Sequence, residues 1–456
     1  MTGKELVLTA LRGGRTERTP WVPFCGCHCA ALIGRTAEEY LKSSELMVSG
    51  LEEAIARYSP DGIPVIFDLQ IEAEVFGCDL HWNRDNPPSV MSHPLAEGKI
   101  EFEQLKLPTD RDGRIPQVLA TIRSLRAGHP DLALYGLITG PFTLALHLLG
   151  TEIFMQMFDN AENVRKLLDF CADVGKAMSK LYIDAGCDVI AVVDPMTSQI
   201  GPEQFEEFCS DPLRQIFDEI RTLGAIGSLF VCGHARKNIE VMCDTRCDNI
   251  SIDENIPLDY VRDICRPRGI SFGGNLQLTV AMLLGDENAN RINASKCLAV
   301  GEGPGFILSP GCDIPFATPP ANIVAAGEVA LNPDARKIAD QLAANPPADS
   351  IEKFDLNDYV EPNLLKIDIV TLDSLGCAPC QYMVDAAQKA AAPFGSKVAV
   401  REHKIKTPEG IRMMATLGVS NIPTLCMDRE IVFISSIPGN AALADEIKKR
   451  LAEKGL

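Results

Sequence analysis

The chain has 456 residues, 46% of them hydrophobic and 23% charged, and a net charge of −19. That length exceeds one ordinary core and predicts two domains. The acidic balance argues against nucleic acid as a ligand, because phosphate binding needs a basic surface. No apolar run approaches the roughly 18–20 residues of a membrane helix. The start, "MTGKELVLTALRGGRTERTP", reads as an amphipathic helix without a signal-peptide block, so no membrane and a cytoplasmic location are expected. The sixteen cysteines are scattered through apolar segments. In a reducing compartment they read as thiols, metal ligands or redox pairs, most of them small buried hydrophobes.

From about residue 20 to 330, eight short apolar runs alternate with helical patterns. They are "WVPFCG", "GIPVIFD", "LALYGLITG", "CDVIAVVD", "GSLFVCG", "DNISID", "GISFGGN" and "GFILSPG". Repeated strand–helix units in this number predict a (β/α)8 TIM barrel over residues 1–333, with a doubly wound open sheet as the alternative. Barrel chemistry sits where the strands end. Those ends carry Cys25, Cys27, His28 and Cys29 after the first run, then Asp68 with Glu72 and Glu74, and Asp194. Cys232 and His234 follow the fifth run, Asp253 and Glu254 the sixth, Asn275 the seventh, and Cys312 and Asp313 the eighth. Cys232 and Cys312 should therefore reach one mouth, as two soft ligands for a zinc ion with an open position. "GEGPGF" precedes a strand instead of opening a helix and is not read as a nucleotide loop.

Residues 334–363 pass through "AANPPADSIEKFDLNDYVEPN" and read as a linker. From 364 to 456 the pattern restarts as strand, helix, strand, helix, strand, strand and closing helix, enough for a small α/β domain. "GCAPCQYMVDAAQKAA" sets Cys377 and Cys380 at a helix start, where unpaired N–H groups and the dipole favour a thiolate at Cys377. Half of a zinc knuckle is the other reading, but no second cysteine pair follows.

With "VSNIPTLCM" downstream, residues 364–456 resemble a compact thioredoxin- or glutaredoxin-like domain. The resemblance implies a redox-active disulfide with Cys377 as attacking thiol, Cys380 as resolving thiol, and Pro423 as the cis-proline beside them.

The segments "RTPWVPF", "EAEVFGC", "ITGPFTLA", "LFVCG", "SIDENI", "GGNLQ" and "SPGCDIPFATPPAN" resemble the uroporphyrinogen decarboxylase superfamily across residues 1–330. Within it they look nearest to the corrinoid-dependent methyltransferases that methylate coenzyme M. True decarboxylases carry an arginine-rich segment after the first strand, and here it reads "CGCHCAAL". What the resemblance implies is a zinc-dependent methyltransferase working between a corrinoid carried by a partner protein and a small-molecule thiol. A thiol/disulfide reductase is a further partner suggested by the fused dithiol domain.

Cys232 and Cys312 match two of that branch's three zinc ligands, while its histidine position is Phe230. His234, His28, Cys27 and Glu72 stand as candidates for the third, with loss of the metal as the remaining alternative. Asp253 and Asn275 are implied to shape the pocket, Asp68 matches the decarboxylases' pivotal aspartate, and Glu72 and Asp194 complete the candidate rim. Two other readings stay open: a redox-responsive corrinoid- or thiol-binding protein without a metal, and a decarboxylase-like lyase.

Overall fold

The structure, a computed structural model, describes residues 1–344, 353–375, 377–419 and 421–456. They form two compact units, Met1–Pro346 and Pro347–Leu456. No helix among the described residues is long and apolar enough to cross a membrane.

The first unit is built on seven parallel strands, each paired with the next in the chain: β1 (Gly62–Pro64), β2 (Ala133–Thr139), β3 (Val189–Val193), β4 (Ile226–Val231), β5 (Asn249–Ile252), β6 (Ser271–Leu276) and β7 (Phe306–Pro310). Helices cover the outside and side chains fill the inside, so both faces are apolar and the strands read as unbroken hydrophobic runs. The helix Ala161–Ala185 shows how the cover is written. Its buried Val164, Leu167, Leu168, Cys171, Gly175, Met178 and Tyr182 recur every three or four positions, and Gly186, at φ 129°, ends it.

The first expected strand is the point of difference. "WVPFCG" contributes one bridge, between Trp21 and Leu308. Pro20 and Pro23 flank it, and a residue without an N–H cannot extend a ladder. That short segment still closes the sheet. Val22 N–H donates to Leu308 and Leu308 N–H to Pro20 on one side, both at 3.0 Å. On the other side Asp61 N–H donates to Trp21 at 2.9 Å, and Trp21 N–H donates back to the Asp61 carboxylate at 2.8 Å. The result is an eight-staved barrel with one stave reduced to a clasp. Its interior is packed by Val22, Phe24, Phe67, Tyr135, Leu137, Val193, Phe230 and Ile307, among others.

Residues 334–344, expected as the start of the linker, are helical instead. The helix Pro333–Ala344 packs on the helices Glu287–Gly301 and Pro320–Leu331, burying Ala339 and accepting a hydrogen bond at Asp340 from Ser295. Its polar composition reflects a face turned to solvent, which sequence alone does not separate from a linker. Residues 345–352 lie outside the described residues. Leu356, with Phe354 and Tyr359, joins the core of the second unit.

That unit follows the expected element order. Its sheet runs β9 (Val398–Lys404), β8 (Leu365–Thr371), β10 (Thr424–Met427) and β11 (Glu430–Ile434), with the first pair parallel and the others antiparallel. The helices Ala378–Ala391 and Asn440–Glu453 pack together over it. Asp61 also takes both guanidinium nitrogens of Arg18, at 2.6 and 2.7 Å. Asp61→Ala should therefore lower barrel stability by about 1.5–3 kcal/mol, the contribution of a hydrogen bond to a charged group. Urea unfolding followed by tryptophan fluorescence checks this, because Trp21 is fully buried at the clasp.

Candidate active site

Strand alternation decides what β4 offers the barrel. Successive side chains point to opposite faces, so Phe230 and Cys232 share one. Phe230 turns into the interior and meets Phe24 and Phe67 edge-on, with ring centroids 5.4 and 5.9 Å away. Cys232, one step beyond the strand, sits on this aromatic floor together with Cys312, two residues past β7. The two sulfurs lie 3.0 Å apart, Cys232 donating. Of the fourteen free cysteines among the described residues only these two are partly exposed. The rest are buried, so a ligand can reach this pair and not the others. The hydrogen bond to Cys312, together with burial, holds the Cys232 thiol well above its ordinary pKa.

Most of the other rim residues are engaged in holding the mouth. Asp253 accepts from Gly233 N–H at 2.6 Å and from the Asn255 side chain at 2.7 Å, tying the loop after β4 to the loop after β5. Burial raises its carboxyl to about 6. Asn275 donates to the carbonyls of Asp253 and Ile256, bracing the same loop from β6. Asp194 accepts from Phe142 and Thr143 N–H groups, capping the helix Pro141–Leu149, and burial raises it to about 6. Glu72 is spent on the backbone and hydroxyl of Thr139, at the end of β2.

Three expected site residues are corrected. Asp68 is fully buried and ion-paired to Arg114 at 2.6 Å, with Arg114 also held by Glu74, so its carboxylate is engaged in an anchor between elements. His28 has both ring nitrogens occupied, by the Tyr58 hydroxyl at 2.7 Å and the Phe316 carbonyl at 3.1 Å. Burial lowers its pKa to about 4, and it leaves the set of metal ligands. Cys25, Cys27 and Cys29 beside it are buried with it. His234 stands at the mouth with Nδ1 buried and unpartnered, yet it does not join the two thiols. Among the described residues no group of three His, Cys, Asp or Glu side chains converges on a metal position.

The sequence reading missed the aromatic floor. The Val22–Phe24 alternation in "WVPF" pointed to it, since both side chains face the barrel interior. It also left Glu254 without a role. One carboxylate oxygen accepts from Leu278 N–H at 3.2 Å, while Oε2 is buried with no partner. A Cβ on Gly311, the neighbour of Cys312, would lie 2.5 Å from that oxygen, which places the free carboxyl edge against the Gly311 backbone.

The profile of the uroporphyrinogen decarboxylase (URO-D) family matches residues 2–330. The chain belongs to the uroporphyrinogen decarboxylase family. Among its relatives is the methylcobamide:CoM methyltransferase MtbA of Methanosarcina acetivorans, 30% identical over 338 residues, which are 73% of this chain and 98% of that protein. The methylcobamide:CoM methyltransferase MtaA of Methanosarcina barkeri strain Fusaro is 27% identical over 340 residues, 71% of this chain and 96% of that one. The uroporphyrinogen decarboxylase of Carboxydothermus hydrogenoformans is 25% identical over 337 residues, 69% and 93% of the two chains. A solved methyltransferase structure from Methanosarcina mazei superposes with a TM-score of 0.67 at 23% identity, covering 74% of this chain and 99% of that one. It shares the fold of the first unit.

The zinc site implied by the resemblance can be tested against this donor set. A catalytic zinc takes three protein ligands. The mouth supplies two sulfurs, and the remaining position is Phe230, packed in the aromatic core. The residues present do not fit a three-ligand zinc.

Burial and the neighbouring Asp253 raise the Glu254 carboxyl from 4.5 to about 8. Between those values the folded chain keeps a proton that the unfolded chain has lost, so this group makes stability fall as pH rises from about 5 to about 8. Glu254→Gln cannot ionise and should flatten that fall. The check is the melting temperature of both proteins across this range; parallel slopes would refute it.

Proposed function

We propose that the barrel transfers a methyl group between a corrinoid carried by a separate protein and a small-molecule thiol. The observation that carries the reading is the partly exposed thiol pair over an apolar floor, in a family member whose relatives include methylcobamide:CoM methyltransferases. Decarboxylation is disfavoured, since Asp68 is sequestered by Arg114 and the loop after Trp21 carries no arginine to hold substrate carboxylates.

The residues suggest how the acceptor is handled. A thiol is a poor nucleophile until its proton leaves, its ordinary pKa being about 8.5. Glu254, with its carboxyl raised to about 8, already carries a proton at neutral pH, so the thiol proton passes to solvent at the mouth. Cys232 stays protonated at neutral pH and so remains a donor. An acceptor sulfur seated by the pair would receive that S–H hydrogen bond as it becomes a thiolate. The aromatic floor excludes water from beneath it. The sulfur then attacks the methyl carbon; a C–S bond forms and the carbon–cobalt bond breaks, its electron pair remaining with the corrinoid. No step is assigned to zinc.

Cys232→Ala should slow methyl transfer from methylcobalamin to coenzyme M by about 10- to 100-fold, matching about 1.5–3 kcal/mol for a hydrogen bond to a charged sulfur. Thioether formation followed by mass spectrometry checks it. An unchanged rate removes Cys232 from the reaction. One equivalent of zinc in purified protein, lost in this variant, would restore the metal reading.

For the second unit we propose a thioredoxin-like dithiol domain, with Cys377 attacking and Cys380 resolving. In support, the two cysteines are joined by a disulfide with Cα atoms 5.2 Å apart, Cys377 precedes the helix Ala378–Ala391 and is partly exposed, and Cys380 is buried. Cys380→Ser should then trap a mixed disulfide at Cys377 with an added disulfide substrate. Absence of the adduct on a non-reducing gel, with Cys377 still alkylatable, counts against the assignment.

A further inference from the structure

We infer that Cys232 and Cys312 form a second dithiol, one that closes reversibly into a disulfide across the barrel mouth and is reopened by a Cys-x-x-Cys dithiol such as Cys377 and Cys380. The inference rests on the dithiol reading of the second unit and goes beyond methyl transfer.

Three observations carry it. The sulfurs stand 3.0 Å apart, about an ångström beyond the bonded separation of about 2.05 Å. No third donor among the described residues converges with them on a metal position, because Phe230 fills the place of the family histidine, so nothing there commits the thiols to a cation. And among the described residues they are the two free cysteines that are partly exposed. Another pair, Cys243 and Cys265, is 3.9 Å apart and buried. A glycine adjoins each thiol, Gly233 at φ 89° and Gly311 against the Glu254 carboxylate. Both sulfur-bearing loops can therefore pack closely around the mouth.

The chemistry balances without a metal. Closure by a small-molecule disulfide joins Cys232 to Cys312 and releases two small thiols, which take the two electrons and two protons. For reopening, a Cys-x-x-Cys thiolate attacks one barrel sulfur, the barrel bond breaks, and the electron pair with a proton goes to the other barrel sulfur. The second cysteine of the motif then attacks the mixed disulfide and frees the remaining barrel thiol. The motif is left oxidised and the barrel pair as thiols. Closure removes the Cys232 S–H, so the oxidised barrel should not methylate thiols until it is reopened.

The experiment uses the full chain under argon. After incubation with excess oxidised glutathione, peptide mapping is expected to find Cys232 linked to Cys312. Once the glutathione is removed, one equivalent of dithiothreitol should return both to alkylatable thiols, about tenfold more slowly in Cys377→Ser. Barrel thiols that stay fully alkylatable after oxidation overturn the proposal. So does reopening at the same rate in Cys377→Ser, with wild-type circular dichroism confirming that this variant is folded. If Cys377 and Cys380 take up no electrons from dithiothreitol, the reading of the second unit fails. If they do and the barrel stays closed, only the present inference fails.

Discussion

The Asp61 carboxylate is the clasp on which the site depends. The two sulfurs come from β4 and β7, with β5 and β6 between them, and they can meet only if the sheet curls into a closed ring. Closure needs the seventh strand to find the first, and the chain between them is a proline-flanked segment with a single bridge. Asp61 gives that segment a second side, accepting Trp21 N–H and holding Arg18 bidentately. A charged acceptor supplies what a longer ladder would otherwise provide.

With the ring closed, the mouth separates into groups that hold it and groups that face a ligand. Asp253, Asn275, Asp194, Glu72 and Asp68 belong to the first class, each with its polar atoms committed to neighbouring loops or to Arg114. Buried carboxylates survive because they are satisfied in this way. Cys232 and Cys312, partly exposed, form the second class. The division follows from hydrogen-bond accounting alone, and it moves the chemistry from the aspartates toward the sulfurs.

Phe230 sets what those sulfurs can do. An imidazole on the same inward face would have offered a nitrogen to a metal shared with Cys232 and Cys312. A phenyl ring offers packing, and it takes that role fully, edge-on to Phe24 and Phe67. The family scaffold here therefore presents two sulfurs over a phenyl ring, in a chain whose second unit carries a disulfide of its own.

The parallel barrel was legible because buried strands are continuous apolar runs and helices repeat every three to four residues, and both signals are local. The delivery of Cys232 and Cys312 to one mouth was equally legible, since strand order and strand ends follow from the repeat of the units. Three things were not: the shortening of the first stave to Trp21, the helix over 333–344, and the engagement of His28 and Asp68. Each turns on a partner distant in sequence, namely Leu308 for Trp21, Ser295 for Asp340, Tyr58 for His28 and Arg114 for Asp68. Sequence by itself determined which residue types reach the rim; only the tertiary structure decided which of them were already bonded, because satisfaction of a polar group depends on what folds against it.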